Sequence, residues 1–539
     1  MKRDKTMEYK CIKHKFIFAA ITFVLMTICV FAFFGVTDVN AAETIESGDY
    51  VYTVLEDGKS VEINKYKGQS LYVSLPSKIE NYTVTSVGSS AFMSNSTVKE
   101  IEISGTITLI DSNAFTDCTS LIKLQIPGNV ESIGKAAFSG CTALSDVTIF
   151  DGVKNIDEYA FARCTDLKNL ILPNSIDSIG NYAFFGCSML SDIQIPRALK
   201  NFGGYVLEGT QWMKNQQQDF VIVGDGILIK YSGSAKSKTL PEQVKTIGSY
   251  AFAGNDNITT ILIPSTVTAI DESAFENCTK LEYVDIPASV LSIGKRAFFG
   301  CKSLNDVTLP SSVPKIDEST FEGCTSLTMI IIPVNSVTIC QNAFKDCTAL
   351  QSVKFQDGLQ EIKSGAFKNC TAIGRLVFPK SLKTIENTAF EKCNSLTRIE
   401  FNSDVNIYNS AFIECPNLIE SVFYKNMTAL ETGIFSTCPD VVLYSDNDYY
   451  LEKYASENDY KTDNIKNLKD YENKGIIPVS DEEQSKEFSL GYTFIAIVII
   501  IVDVGVVALA SAYLLFISPK RKRRRKNAQK QQNIPPKTN

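Results

Sequence analysis

The most regular feature of this chain is a large apolar side chain that recurs with a step of 23 residues. Two runs keep this step, and two later positions follow with steps of 22 and 23. A fixed period of roughly 20–30 residues is typical of a solenoid, whose repeats bury their apolar sides against each other. The repeat positions are Phe92, Phe115, Phe138, Phe161, Phe184, Leu207, Phe252, Phe275, Phe298, Phe321, Phe344, Phe367, Phe390, Phe412 and Phe435.

The pattern within one period predicts a short strand in each coil. In residues 118–138, Leu121, Leu124 and Ile126 follow the L-x-x-L-x-L spacing of a leucine-rich-repeat strand. Alternation along the strand places Leu124 and Ile126 on one face. Pro127 then ends the strand, because proline has no N–H to donate to a neighbouring strand.

One long step interrupts the series. Leu207 and Phe252 are 45 residues apart, which leaves room for one degenerate copy around DFVIVGDGILIKYSG. Counting that copy, the array is predicted to contain about sixteen coils. The predicted fold class is a mainly β repeat solenoid with small terminal caps and one C-terminal transmembrane helix.

Both ends of the chain carry membrane signals. A basic start, a long apolar run and the small residues at 39–41 predict a secretory signal peptide over residues 1–41, with an uncleaved anchor as the alternative. Residues 494–518 are an apolar run with one charge, Asp503, and are long enough to span a bilayer as a helix. Whether Asp503 pairs this helix with another is left open. KRKRRRK follows at once, which predicts a basic cytoplasmic tail and a type I topology in the plasma membrane.

The repeat unit I-G-x-x-A-F-x-x-C-x-x-L-x-x-V-x-I-P, as at 133–150 and 293–310, resembles the BspA-like leucine-rich-repeat family of surface proteins. The resemblance covers about residues 45–464. It implies that GDYVYTVLEDGKSVEI is an N-terminal β cap and that DYYLEKYASENDY holds a short helix closing the array. It also implies adhesion to host or matrix proteins, or to other cells, although a fold does not fix a ligand.

The predicted domain boundaries follow from these signals together. They are 1–41 signal peptide, 42–88 N-terminal β cap, 89–443 leucine-rich-repeat solenoid, 444–464 C-terminal cap with a short helix, 465–493 polar stalk, 494–518 transmembrane helix and 519–539 basic tail.

Twelve cysteines occupy one position of the repeat, three residues after the phenylalanine. This single phase predicts a buried column of structural thiols, with disulfides and then metal ligation as the weaker alternatives, because parallel side chains in a line suit neither. Asn95, Thr210 and Asn255 replace cysteine in three coils, and Cys340 lies out of phase. The twelve are Cys118, Cys141, Cys164, Cys187, Cys278, Cys301, Cys324, Cys347, Cys370, Cys393, Cys415 and Cys438.

The sequence predicts no catalytic, cofactor or metal site. The only histidine, His14, lies in the predicted signal peptide, so a Ser-His-Asp or Cys-His arrangement cannot form in the mature chain. Acidic pairs are too numerous to exclude a carboxylate dyad acting on glycans. Residues 42–493 carry a net charge of about −18, which argues against nucleic acid as a partner.

The candidate ligand surface is the outward side of the predicted strands, at the positions five and seven residues after the cysteine position. Its apolar members predict an exposed patch, and aromatic and methionine side chains exposed together often mark an interface. The alternative is that β-propensity alone put these residues on strands. The predicted contact residues are Leu262, Tyr283, Asp285, Met329, Ile331 and Arg375.

The predicted function is therefore a cell-surface leucine-rich-repeat binding protein, held to the membrane by one helix. Its partner is an extracellular protein or glycan, and its oligomeric state is left open. A wall-associated protein that binds or cleaves glycans through surface carboxylates is one alternative, and a purely structural surface protein is another.

Overall fold

A computed structural model describes residues 43–468 of the chain. Residues 43–443 and 448–462 form one unit, and residues 444–447 and 463–468 form a second, small one. The predicted signal peptide, transmembrane helix and basic tail, and most of the predicted stalk, lie outside the described residues. Within 43–468, no helix has the length and apolar character that a membrane span requires.

The described chain is a mainly β solenoid of about 18 turns, slightly more than the predicted sixteen. Almost every coil contributes one longer strand, which pairs in parallel with its equivalents. These strands are β4 (Tyr72–Ser74), β7 (Glu100–Glu102), β9 (Lys123–Ile126), β11 (Asp146–Ile149), β13 (Asn169–Ile171), β15 (Asp192–Gln194), β19 (Ser237–Thr239), β21 (Thr260–Leu262), β23 (Tyr283–Asp285), β25 (Asp306–Thr308), β27 (Met329–Ile332), β29 (Ser352–Phe355), β31 (Arg375–Phe378), β33 (Arg398–Phe401) and β35 (Glu420–Phe423).

A second strand of two residues lies a few residues before the repeat position in most coils. Its second residue is an inward isoleucine or phenylalanine, and register places these side chains one above another, as with Ile133 and Ile156. These strands are β8 (Leu109–Ile110), β10 (Ser132–Ile133), β12 (Asn155–Ile156), β14 (Ser178–Ile179), β16 (Asn201–Phe202), β20 (Thr246–Ile247), β22 (Ala269–Ile270), β24 (Ser292–Ile293), β26 (Lys315–Ile316), β28 (Thr338–Ile339), β30 (Glu361–Ile362), β32 (Thr384–Ile385) and β34 (Asn406–Ile407).

The remaining elements lie at the ends of the array and in one interruption. Near the N-terminus, β3 (Ser60–Tyr66) runs antiparallel to β2 (Tyr50–Val54) but parallel to β6 (Tyr82–Val87), so the first coil already lies within residues 42–88. The elements are β1 (Thr44–Ser47), β2 (Tyr50–Val54), β3 (Ser60–Tyr66), β5 (Lys78–Ile79), β6 (Tyr82–Val87), α1 (Gln211–Lys214), β17 (Phe220–Val223), β18 (Ile227–Tyr231), β36 (Val442–Ser445), α2 (Tyr449–Glu457), β37 (Lys461–Asn464) and a 3₁₀ helix at Ile465–Asn467.

The core is a column of stacked aromatic rings, one from each regular coil. Phe275, Phe298 and Phe321 are fully buried, with ring centroids 5.2 and 5.3 Å apart and planes within 2° of parallel. The backbone N–H of each ring residue donates to a carbonyl of the next coil, as from Phe298 to Thr320 O at 2.9 Å. Each coil therefore supplies the ring contact and the hydrogen-bond acceptor that its neighbour needs, which explains why a single coil cannot fold alone.

Candidate functional site

The predicted strand-face residues lie on the outward side of the longer strands, but polar side chains interrupt them. Leu262 is paired in register with Asp285, and Tyr283 with Asp306. Strand β25, whose outward residues are Asp306 and Thr308, therefore separates Tyr283 from Met329. Leu262 is exposed, whereas Tyr283, Met329 and Ile331 are half-buried.

Arg375 belongs to an ionic cluster that the sequence did not reveal. Its Nε donates to Glu400 Oε1 at 2.9 Å, and Arg398 Nε lies 2.8 Å from the same oxygen. Tyr424 donates its phenol proton to Glu400 Oε2 at 3.1 Å, and burial followed by that carboxylate raises the pKa of Tyr424. Glu400 is only 5% exposed. The arginines compensate a buried carboxylate, which is a structural role.

All twelve column cysteines are buried and unpaired. Each thiol donates to the carbonyl of the repeat phenylalanine in the preceding coil, as from Cys118 Sγ to Phe92 O at 3.1 Å, 26 residues back. Burial raises the pKa of the Cys278 thiol to about 12, so it stays protonated at neutral pH. Cys340 is half-buried and lies off the column.

The two asparagines at the cysteine position bond differently. Asn95 Oδ1 accepts from the backbone N–H groups of Thr97 and Val98, both at 2.9 Å, and Asn255 does the same within its own turn. Neither asparagine has a repeat phenylalanine 26 residues before it. Asparagine therefore occurs where no preceding regular coil offers the carbonyl that a thiol needs.

The regular stacking stops between Leu207 and Tyr231. Phe184 N–H donates to Val206 O at 3.0 Å, and the next bond of this series runs from Tyr231 to Ala251 O at 2.8 Å. Buried apolar residues also fall into two clusters that meet at β18. The degenerate copy thus leaves two regular stacks with an irregular segment between them.

Thr210 begins this irregular segment. It occupies the cysteine position, but its hydroxyl donates to Leu207 O at 2.7 Å and accepts from Met213 N at 3.1 Å. Threonine is a good helix N-cap, so the turn continues into α1 instead of the next strand. The chain then returns through the antiparallel β17–β18 hairpin.

A cavity of about 250 Å³ opens where the stacking stops. Its apolar lining includes Val206, Leu207, Met213 and Ile229. This lining results directly from the interruption, because in a regular coil the next ring and the next backbone turn would fill the space.

Four tyrosines form a stacked row beside the cavity, and we call them the tyrosine row. Ring centroids of Tyr159 and Tyr182 are 4.8 Å apart, and those of Tyr182 and Tyr205 are 5.3 Å apart. Tyr205 and Tyr250 are 4.7 Å apart although 45 residues separate them, so the row crosses the interruption. Phe185 lies edge-on to Tyr182 and is 37% exposed.

The backbone at these tyrosines is left-handed, with φ between 55° and 60°. Two residues before the ring, every coil adopts this conformation, which costs roughly 1–2 kcal/mol for most residues and favours glycine or asparagine. The other occupants are small or polar: Ser90, Asn113, Ala136, Ser273, Arg296, Ser319, Asn342, Gly365, Thr388, Ser410 and Gly433. Only the four coils next to the interruption place an aromatic side chain there.

Gly204 seats the last ring of the row. A Cβ on Gly204 would lie 2.1 Å from Cδ2 of Tyr250, so any other residue displaces that ring. Tyr205 and Tyr250 both line the cavity. Gly204 therefore helps to fix the position of Tyr250 in the wall of the cavity.

Two ion pairs lie beside the row. Glu158 bonds Lys135 at 2.7 Å, and Glu208 bonds Lys230 at 2.9 Å beside the cavity. Burial, followed by the neighbouring Tyr250, raises the pKa of Tyr205, so its phenol is neutral. The surface offers aromatic edges and hydroxyl groups without net charge at its centre.

Sequence reasoning missed the tyrosine row, although its signal is visible. Tyrosine stands two residues before the repeat position in EYAF, NYAF, GYVL and SYAF, and nowhere else. Within residues 43–468, no group of three or more His, Cys, Asp or Glu side chains could hold a metal ion.

The sequence model of the BspA type leucine rich repeat region matches this chain in six copies, over residues 85–214, 229–348 and 315–442, which is more than half of its length. The unmatched residues between the first two ranges lie in the interruption. A search of curated proteins finds no significant match.

Three of the similar solved structures are bacterial leucine-rich repeat proteins. A leucine-rich repeat protein from Bacteroides ovatus is 22% identical over 78% of this chain and 99% of its own, with a TM-score of 0.32. A leucine rich cell surface protein from Faecalibacterium prausnitzii is 25% identical over 67% of this chain and 95% of its own, with a TM-score of 0.30. A leucine-rich repeat protein from Eubacterium ventriosum is 23% identical over 73% of this chain and 99% of its own, with a TM-score of 0.39. With TM-scores this low, the family assignment rests on the repeat match.

Proposed function

This chain belongs to the BspA type leucine-rich repeat family, and we propose that it is a cell-surface member that binds another protein through the tyrosine row. The observation that carries the proposal is the placement of four tyrosines in a left-handed conformation. Folding alone favours asparagine or glycine there, and the same array uses them in other coils. Residues held in a costly conformation point to function.

Tyrosine suits such a role because it combines a rigid apolar ring with a polar hydroxyl. It is enriched in protein interfaces and in the residues that contribute most to binding. The predicted signal peptide and transmembrane helix support a location on the cell surface with one membrane anchor. Adhesion is the function that this combination of anchor, array and aromatic surface suits.

The test compares the parent with a Tyr182→Asn, Tyr205→Asn double variant of the full chain in detergent. A displayed library of protein segments is selected against the parent, and each binder is then measured on both proteins. Because asparagine suits the left-handed backbone, the variant should stay folded while binders weaken about ten-fold or more.

Two further variants make the result specific. Tyr72→Asn removes an exposed tyrosine from a strand outside the row, and binding should not change. Tyr283→Ala with Met329→Ala tests the strand face predicted from sequence. Binders that respond only to the strand-face variant, or to neither, would contradict the proposal.

A further inference from the structure

We infer that the partner is a protein segment that inserts one uncharged aromatic or large apolar side chain into the cavity that Tyr205 and Tyr250 line. This inference rests on the proposed function and specifies the chemistry of its ligand. Four observations carry it: the covered ring faces, the size of the cavity, the paired charges and the fixed wall.

The ring faces of the row are largely covered by each other. Tyr182 has Tyr159 on one side and Tyr205 on the other, at 4.8 and 5.3 Å. Sugars bind aromatic residues mainly by lying on an open face, which Tyr182 and Tyr205 do not offer. Ring edges and phenol oxygens remain, and these suit the carbonyls and side chains of a polypeptide.

The cavity is the right size for one side chain. Its volume of about 250 Å³ lies below the roughly 300–1,000 Å³ of pockets that hold whole small-molecule ligands. Its apolar lining would bury an anchor side chain away from water, as central contacts of protein interfaces do. Met213 in the lining is unbranched and can adjust to the shape of the inserted group.

The charges beside the cavity exclude a charged anchor. Glu208 and Lys230 already bond each other at 2.9 Å, and both are about 40% exposed. A charged ligand group would have to compete with this pair and lose its own hydration on entry. An uncharged side chain meets neither cost.

The wall of the cavity is fixed before binding. The Tyr250 ring occupies the space that a side chain on Gly204 would need. The ring centroids of Tyr250 and Tyr205 are 4.7 Å apart. A preformed wall reduces the entropy lost on binding. The cavity is thus ready to accept a side chain without rearranging the row.

The test fills the cavity at Ala253, which lines it directly after the repeat phenylalanine. The same position holds Phe185 and Phe299 in other coils, so Ala253→Phe keeps a side chain that the repeat tolerates. Ser436→Phe adds the same ring at the same repeat position far along the array and is the matched control. Ala253→Leu is a smaller filling variant, for use if Ala253→Phe lowers the melting temperature.

The probes are synthetic peptides of the library binders that need the tyrosine row, measured by fluorescence anisotropy on the full chain in detergent. We expect each to contain an invariant uncharged aromatic or large apolar residue. Binding should weaken about ten-fold or more on Ala253→Phe, or with that residue changed to Ala or Lys, and should not change on Ser436→Phe.

Three results would overturn the inference. Peptides that lose binding on the Tyr182→Asn, Tyr205→Asn variant but not on Ala253→Phe or Ala253→Leu would leave the proposed function standing and reject the anchor. Neutral hexasaccharides of glucose or N-acetylglucosamine that bind the parent and are lost on Ala253→Phe would make a sugar the occupant. A dimer of the full chain that dissociates with Ala253→Phe would make the occupant a second copy.

Discussion

The regular coils after Phe252 and the interrupted segment from Leu207 to Tyr250 are built from the same repeat, yet they leave different groups available. In a regular coil, the ring stacks on the next ring, its N–H bonds the next coil and its carbonyl accepts a thiol proton. In the interrupted segment, leucine replaces the ring, threonine replaces the thiol, and the series of backbone bonds from each ring residue to the next coil is interrupted. A cavity and an aromatic row appear there.

The difference shows that a regular coil uses its polar and aromatic groups in contacts with the adjacent coils. Stability of such an array is close to a sum of coil terms and nearest-neighbour terms. A coil that departs from the repeat loses part of the nearest-neighbour stabilisation. Its polar and aromatic groups are then available to contact another molecule. Four predictions test this comparison, from the largest expected effect to the smallest.

Raising the pH should destabilise the regular coils far more than the interrupted segment, which has no cysteine. A buried thiol with a raised pKa favours the folded state below about pH 8.5, and this contribution is lost as the pH rises toward the folded value of about 12 for Cys278. Between about pH 8 and 9.5, each thiol whose pKa is raised by burial should lower the free energy of unfolding by about 1 kcal/mol. Burial is the main cause of the raised pKa at Cys164, Cys278, Cys301, Cys324, Cys347, Cys370, Cys393 and Cys438.

Urea unfolding at the two pH values, under reducing conditions, measures this effect. A Cys301→Ala, Cys324→Ala variant is the control, and its pH-dependent loss should be smaller by about 2 kcal/mol. If parent and variant lose the same amount, the thiols are not the cause.

Removing a stacked ring should destabilise only the stack that contains it. Phe298→Ala and Phe138→Ala each remove a fully buried ring and should cost about 3–5 kcal/mol. Since the backbone bonds stop between Leu207 and Tyr231, hydrogen exchange should show the loss on one side of the interruption in each case. Equal loss of protection on both sides would mean that the two stacks unfold as one.

Replacing Gly204 with alanine should displace the Tyr250 ring, because the new Cβ would lie 2.1 Å from it. Overpacking of this kind costs about 1–3 kcal/mol. Gly374→Ala is the matched control, since a Cβ there meets nothing within 4 Å. Thermal unfolding and near-ultraviolet circular dichroism should separate the two, and identical spectra and melting points would remove the assigned role of Gly204.

Tyr182→Asn should change stability least. Asparagine accepts the left-handed backbone that tyrosine adopts at a cost, and this gain opposes the loss of three ring contacts. The free energy of unfolding should stay within about 1 kcal/mol of the parent. A larger loss would mean that the ring at 182 is needed mainly for folding.

The sequence predicted best what repeats. The step of 23 residues located the rings and the strands, because each coil meets the same neighbours as the last. The family resemblance and the solenoid are confirmed by the repeat match. The single phase of Cys118 and its equivalents suggested their burial on the same ground.

The contacts that were hardest to predict from the sequence are those made where the chain departs from the repeat. Nothing local shows that Tyr205 and Tyr250 meet, because their contact needs the fold of the 45 residues between them. The outward face stays a prediction, and register places Leu262 and Tyr283 in different columns, beside Asp285 and Asp306. The buried Glu400 also lies at a position that is exposed or half-buried in most other coils.

The thiol hydrogen bonds all run in one direction along the array, and this direction matches the order in which the coils are synthesised. Each cysteine donates backward, to a carbonyl 25 or 26 residues closer to the N-terminus. A chain that emerges N-terminus first therefore presents every thiol with an acceptor that has already been synthesised. Asn95 and Asn255, which bond within their own turns, can each open a new run. Gene duplication can then lengthen a run by single cysteine coils, whereas starting one requires an asparagine coil.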